Sequence, residues 1–143
     1  NIGVDVIVGF PGEGEEQFRK TYELLEKSDI GYLHVFPFSK RRGTEAYGFH
    51  NQVDPRAKKQ RCEALRALGR RKRAAFQGRF LGRELKVLIE GKRDKLTGRL
   101  KGYSRNYIPV LIEGEDDLVN REIRVSVTNL EDGRVLGRVV GDT

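Results

Sequence analysis

The amino-acid sequence predicts an α/β unit, then one long basic helix, then a small five-stranded antiparallel β-barrel. Three observations carry that prediction. Two apolar runs flank a helical pattern between Asn1 and Phe38, at the spacing of a βαβ unit. A helical stretch opening at Pro55 is dominated by Lys and Arg. From Arg83 onward the apolar period changes to two, with turn signals between successive runs.

The first run, Asn1 to Gly9, is almost continuously apolar, the pattern of a buried parallel strand. It lacks an initiator Met, so we expect the chain to be a C-terminal piece of something longer. Gly9-Phe-Pro-Gly-Glu-Gly14 then leads into a helix whose apolar stripe is Phe18, Tyr22 and Leu25. Glu13, Glu15 and Glu16 suit the positive end of its dipole. Ile30 to Phe38 is the second strand, and Ser39 to Asp54 is a loop rich in Gly, Lys and Arg.

Pro55 opens the long helix, which runs to about Phe80 with Leu65, Leu68, Phe76 and Phe80 on one side. Its remaining positions are largely cationic, from Arg56, Lys58, Lys59 and Arg61 to Arg73 and Arg79. A solvated linker and a surface for phosphates are both compatible with that pattern. Five short strands follow, and Asp132-Gly133 marks the last hairpin. The expected domains are 1–54, 55–80 and 81–143.

The most informative stretch is Thr97 to Val110. Leu100 and Gly102 fall on one strand face, and Arg99, Lys101 and Tyr103 on the other. Tyr103 and Tyr107 flank a turn containing Arg105 and Asn106. Cations that pair with phosphates and rings that stack on unpaired bases make this a candidate single-stranded RNA platform. The competing reading is a solvated face with a cross-strand aromatic pair. The acidic loop Glu113 to Asp117 would repel phosphate, so we expect it to lie away from that face.

Other chemistry is sparse. The 143 residues carry a formal charge of +7, which favours polyanionic partners. Gly9 to Gly14 lacks the Lys and Ser or Thr of a nucleotide-triphosphate loop, and we read it as a tight turn. Glycines at a strand end still permit a cofactor's neutral base to approach the backbone. His34, His50 and Cys62 lack metal-ligand spacing, and no catalytic set is evident. The single cysteine fits a reducing compartment, and we expect a cytoplasmic protein.

Two segments together resemble a known family. Asp5-Val-Ile-Val-Gly-Phe-Pro-Gly-Glu13, His34-Val-Phe-Pro-Phe-Ser39 and Gly43-Thr44 resemble the end of the barrel of radical S-adenosylmethionine methylthiotransferases. Gly82 to Glu90 and Gly102-Tyr-Ser-Arg-Asn-Tyr-Ile-Pro-Val110 resemble the TRAM domain that follows it. The wording is most similar to the branch acting on threonylcarbamoyladenosine.

The resemblance implies the last βα units of a partial TIM-like barrel and an OB-like TRAM domain. It also implies a parent enzyme that adds a methylthio group to the modified adenosine at tRNA position 37. That parent would use S-adenosylmethionine and two 4Fe–4S clusters, whose cysteine ligands this chain lacks, so the piece alone is expected to be inactive. Carried over residue by residue, Gly9, Phe10, Pro11, Gly12 and Glu13, with Phe36, Pro37, Phe38 and Ser39, border the S-adenosylmethionine pocket. Tyr103, Arg105, Asn106 and Tyr107 match the TRAM turn associated with RNA binding, and with Arg99 and Lys101, taken from strand phase, they are the expected tRNA face. The implied partners are tRNA and the N-terminal cluster-binding regions, and self-association of the piece is expected.

Two departures stand out. Gly14 replaces the family's usual Thr, and Ser39-Lys-Arg-Arg-Gly-Thr44 lacks both prolines of its usual counterpart. A non-catalytic RNA-binding module on an unrelated α/β scaffold is the alternative function, and a nucleic-acid-independent interaction domain is a third.

Overall fold

The computed structural model describes residues 1–141, so the last two residues of the expected 81–143 domain lie outside the described residues. The chain forms two compact units, residues 2–72 and residues 73 onward, with the division inside the long helix.

In the first unit, β1 (Gly3–Val8) and β2 (Tyr32–Pro37) pair in parallel, with Gly3 opposite Tyr32 and Val8 opposite Pro37. Helix α1 (Glu15–Lys27) connects them, as the βαβ spacing predicts. Phe18 and Leu25 of α1 pack with Val8, Leu33 and Val35, and with Cys62, Leu65 and Leu68 of helix α2 (Pro55–Gly78). Only one sheet face is covered. Asp5, Ile7, His34 and Phe36 on the other face are exposed, so the expectation of a strand buried on both sides is not met among the described residues. Here both helices lie against the same face of the sheet.

Helix α2 begins where an N-cap specifies it. Asp54 accepts the backbone N–H groups of Arg56 and Ala57 at 2.9 and 3.2 Å, and Pro55 occupies the first helical position. Several of its cations are spent inside this unit. Lys72 donates to the carbonyls of Glu26 and Ser28 at the C-terminal end of α1, where a cation also complements the helix dipole. Arg66 reaches the carbonyl of Val35 and Arg71 the phenol of Tyr22.

The second unit is a closed barrel of β3 (Glu84–Ile89), β4 (Leu100–Ser104), β5 (Pro109–Ile112), β6 (Glu122–Glu131) and β7 (Arg134–Val139). Its order around the barrel is β3-β4-β5-β7-β6. Four of the five pairings are antiparallel, but β5 and β7 run parallel, which corrects the all-antiparallel expectation. The reason is arithmetic. Strands that alternate in direction cannot close on themselves when their number is odd, so one pair must run the same way.

Inward-facing Val87, Ile89, Leu100, Val110, Ile112, Val125, Val127 and Val135 fill the barrel together with Ile108, while Phe76 and Phe80 pack against it. The register of β6 and β7 shifts between Val127 and Asn129, a bulge that bends the long strand around the barrel. Asp132 and Gly133, with φ of 46° and 75°, make the tight hairpin predicted at that dipeptide. Gly102 is required by contact: a Cβ there would sit 2.2 Å from the carbonyl oxygen of Leu88.

Candidate nucleic-acid interface

Register places Tyr103 directly opposite Leu88 on one side and Pro109 on the other, so the three share the outer face of the barrel. The turn after β4 then brings Tyr107 back onto Tyr103. Their ring centroids lie 5.0 Å apart and the planes 30° from parallel. Tyr107 is 67% exposed and Tyr103 40%, so much of this aromatic surface meets solvent.

The turn is built to hold that pair. Tyr107 has φ of 62°, a left-handed conformation unusual for an aromatic residue. Its N–H donates to the carbonyl of Ser104 at 2.8 Å. The buried Ser104 hydroxyl accepts the N–H of Ile108 at 2.9 Å and donates to the side-chain oxygen of Asn106. Asn106 therefore shapes the turn from within.

The cations around the rings are paired with carboxylates. Arg105 makes a two-pronged contact to Glu122, at 2.7 and 2.8 Å. The Arg105 hydrogen bond holds the Glu122 carboxyl below its ordinary range, and the same bond raises the Arg105 guanidinium. Lys101 lies 3.4 Å from Glu90. Arg99 sits 3.7 Å from Glu113 and 3.5 Å from Glu131. The acidic loop thus approaches Arg99, contrary to the expectation that it stays clear of these cations. Arg93 anchors the same loop by bonding Asp116 and the carbonyl of Gly114.

Sequence reasoning passed over Leu88 and Glu122. Leu88 is exposed and alternates with the buried Val87 and Ile89, placing an apolar side chain on the outer face beside Tyr103. The period-two pattern already carried that signal, since Leu88 falls in phase with Lys86 and Glu90.

The strand-end residues of the first unit gather separately. Gly9 and Gly12 have φ of 79° and 90°, and the N–H of Gly12 donates to the carbonyl of Asn51 at 2.7 Å. Every loop N–H from Gly12 to Gly14, and that of Gly9, already has an acceptor, so no anion cradle exists here. Open space adjoins the side of Gly12 where a Cβ would point. Phe10 packs edge-on against Phe38, centroids 5.3 Å apart, and against Phe49. Pro37 and Ser39 are exposed at the same strand end, as is Phe36. This strand end thus presents apolar ring surface, with the N–H groups of Gly9 and of Gly12 to Gly14 already occupied.

Cluster ligands do not fit. Among the described residues no group of three His, Cys, Asp or Glu side chains could hold a metal ion. Cys62 is buried, and burial pushes its thiol upward from the ordinary range. Nor is any described helix long and apolar enough to cross a membrane.

No family model matches the chain. Individual relatives do. The chain is 39% identical over 127 residues to the threonylcarbamoyladenosine tRNA methylthiotransferase MtaB of Aquifex aeolicus, covering 89% of the chain and 29% of that protein. Against the Bacillus subtilis protein of the same name it is 35% identical over 125 residues, 86% of the chain and 28% of the relative. A tRNA-2-methylthio-N(6)-dimethylallyladenosine synthase from Desulfitobacterium hafniense is 31% identical over 142 residues, 99% of the chain and 32% of the relative. The chain spans under a third of the length of these relatives, and over most of its own length it matches a segment of tRNA methylthiotransferases at 31–39% identity.

Proposed function

We propose that the chain is the C-terminal part of a radical S-adenosylmethionine methylthiotransferase that modifies an adenosine of tRNA, and that its barrel is a TRAM domain gripping the tRNA. On this reading residues 1–54 are the last βα units of a partial TIM-like barrel, 55–80 a basic linker helix and 81–143 the RNA-binding domain. The observation that carries the RNA reading is the exposed Tyr103–Tyr107 ring pair, held by a strained turn, with Lys101 and Arg105 two residues before and after Tyr103 in the chain. Stacked phenols offer a face to any unpaired base, and the cations beside them offer charge to its phosphates.

The strand-end residues Gly9, Phe10, Pro11, Gly12 and Glu13, with Phe36, Pro37, Phe38 and Ser39, are assigned to the S-adenosylmethionine pocket. When bound, that group supplies the radical chemistry; here the loop contributes shape and apolar surface for its base. The two 4Fe–4S clusters of the parent belong to regions outside this chain, and the segment alone is expected to be inactive. The threonylcarbamoyladenosine branch is favoured by the higher identity to the two MtaB proteins.

The test is tRNA binding by the parent protein with Arg99, Lys101 and Arg105 all changed to Glu. Binding should be lost at physiological salt, and an unchanged affinity would remove this face from the interface.

A further inference from the structure

We infer that Lys58 and Arg61 of α2 are positioning residues for the strand-end pocket, and do not contact RNA. One turn apart on the helix, they lock the two chain segments that border that pocket. Arg61 donates through one terminal nitrogen to both the carbonyl and the carboxylate of Glu13, at 2.8 and 2.9 Å. The same Glu13 carboxylate accepts the N–H of Gly9 at 3.1 Å. The chain from Gly9 to Glu13 is thereby closed into a ring by one side chain, and Arg61 fixes that side chain from beneath. Its guanidinium also lies 5.5 Å from the ring centroid of Phe18.

Lys58 holds the other segment. Its ammonium donates to the carbonyl of Phe38 at 3.0 Å, just past the end of β2. Its methylene stem runs directly against Gly9, where a Cβ would meet the Lys58 Cγ at 2.7 Å. A Cβ at Gly9 would displace that stem, and the φ of 79° at Gly9 independently favours glycine. Glu13 and Arg61 are nearly buried, with side chains 14% and 10% exposed, so solvent scarcely competes for their contact. A charge buried in this way against a carboxylate is withheld from a polyanion.

This inference rests on the assignment of Gly9 to Glu13 to the S-adenosylmethionine pocket. The experiment measures S-adenosylmethionine binding by equilibrium dialysis, and tRNA binding across a salt series, in the full-length parent protein. Arg61→Gln should weaken S-adenosylmethionine by about tenfold, the scale of one lost charged hydrogen bond. It should leave tRNA affinity and its salt slope unchanged, and Arg61→Lys should recover part of the loss. An Arg61→Gln protein that binds S-adenosylmethionine normally overturns the inference, as does a shallower salt slope for tRNA.

If Arg61→Gln does not fold, Lys58→Met is measured the same way, with the same two readings. If the unaltered parent fails to bind S-adenosylmethionine, the pocket assignment itself is wrong. The clamp is then judged by hydrogen exchange at the Gly9 amide: faster exchange in the folded Arg61→Lys or Lys58→Met protein supports it, and unchanged exchange overturns it.

Discussion

Arg105 and Glu122 face each other across the barrel surface as a fork, both nitrogens within 2.8 Å of the two carboxylate oxygens. A bidentate carboxylate occupies the guanidinium edge that a phosphate would use. On the proposed reading, Glu122 competes with RNA for Arg105. Glu122→Gln should tighten tRNA binding by the parent protein and steepen its salt dependence by roughly one phosphate contact, a slope change of about 0.7 to 0.9. Filter binding across a salt series reads both quantities. Weaker binding would mean that Glu122 orients Arg105 toward RNA.

The two tyrosines should be separable by substitution. Tyr103→Ala removes the ring that packs beside Leu88 and should weaken tRNA binding by about 1–3 kcal/mol, the usual scale for losing one stacked base. Tyr107→Gly removes the other ring while relieving the positive φ, so its binding loss should come without a fall in melting temperature. A large drop in stability with intact binding would assign the pair a structural role.

The legible parts of this fold were those written in short-range pattern. Alternation identified the barrel strands, Asp132-Gly133 identified a hairpin, and the switch from helical to strand period marked where α2 gives way to β3. The stacked tyrosines were legible in part, because strand phase put Tyr103 outside. The positive φ of Tyr107 that completes the stack was not, since it depends on the Ser104 and Asn106 hydrogen bonds.

Pairing across the barrel was illegible for a different reason. The partner of Arg105 lies 17 residues away on β6, and that of Arg99 includes Glu131. Only closure brings them together. The same holds for α2, whose cations looked alike in sequence but divide between buried clamps such as Arg61 and exposed positions such as Lys59.

Gly102 tests the closure itself. A methyl group there would overlap the Leu88 carbonyl at the β3–β4 pairing, and backbone cannot swing aside as a side chain can. Gly102→Ala should destabilise the barrel by about 3 kcal/mol, at the upper end of overpacking costs. Denaturant unfolding followed by circular dichroism measures it. A loss under about 1 kcal/mol would require the two strands to be less tightly apposed than observed.

Asp94 sets an acid limit on the loop between β3 and β4. Its carboxylate accepts the hydroxyl and N–H of Thr97 at 2.7 and 3.0 Å, and Arg134 of β7 at 2.8 Å. The Thr97 hydrogen bond is the foremost cause holding its carboxyl below the ordinary range, with Arg134 adding to it. The folded state therefore binds this proton less readily than the unfolded chain does. The stabilisation is complete above the unfolded carboxylate value near about 4 and disappears as pH falls through the lower folded value. Asp94→Asn should lower the melting temperature at pH 7, and the gap from the unaltered protein should close as the pH drops below about 4. The asparagine carbonyl can still accept from Thr97, so what the variant loses is the charge and the second acceptor, which takes Arg134. A gap that persists unchanged into acid would show that the Asp94 contribution is one of shape and hydrogen bonding, with no electrostatic share.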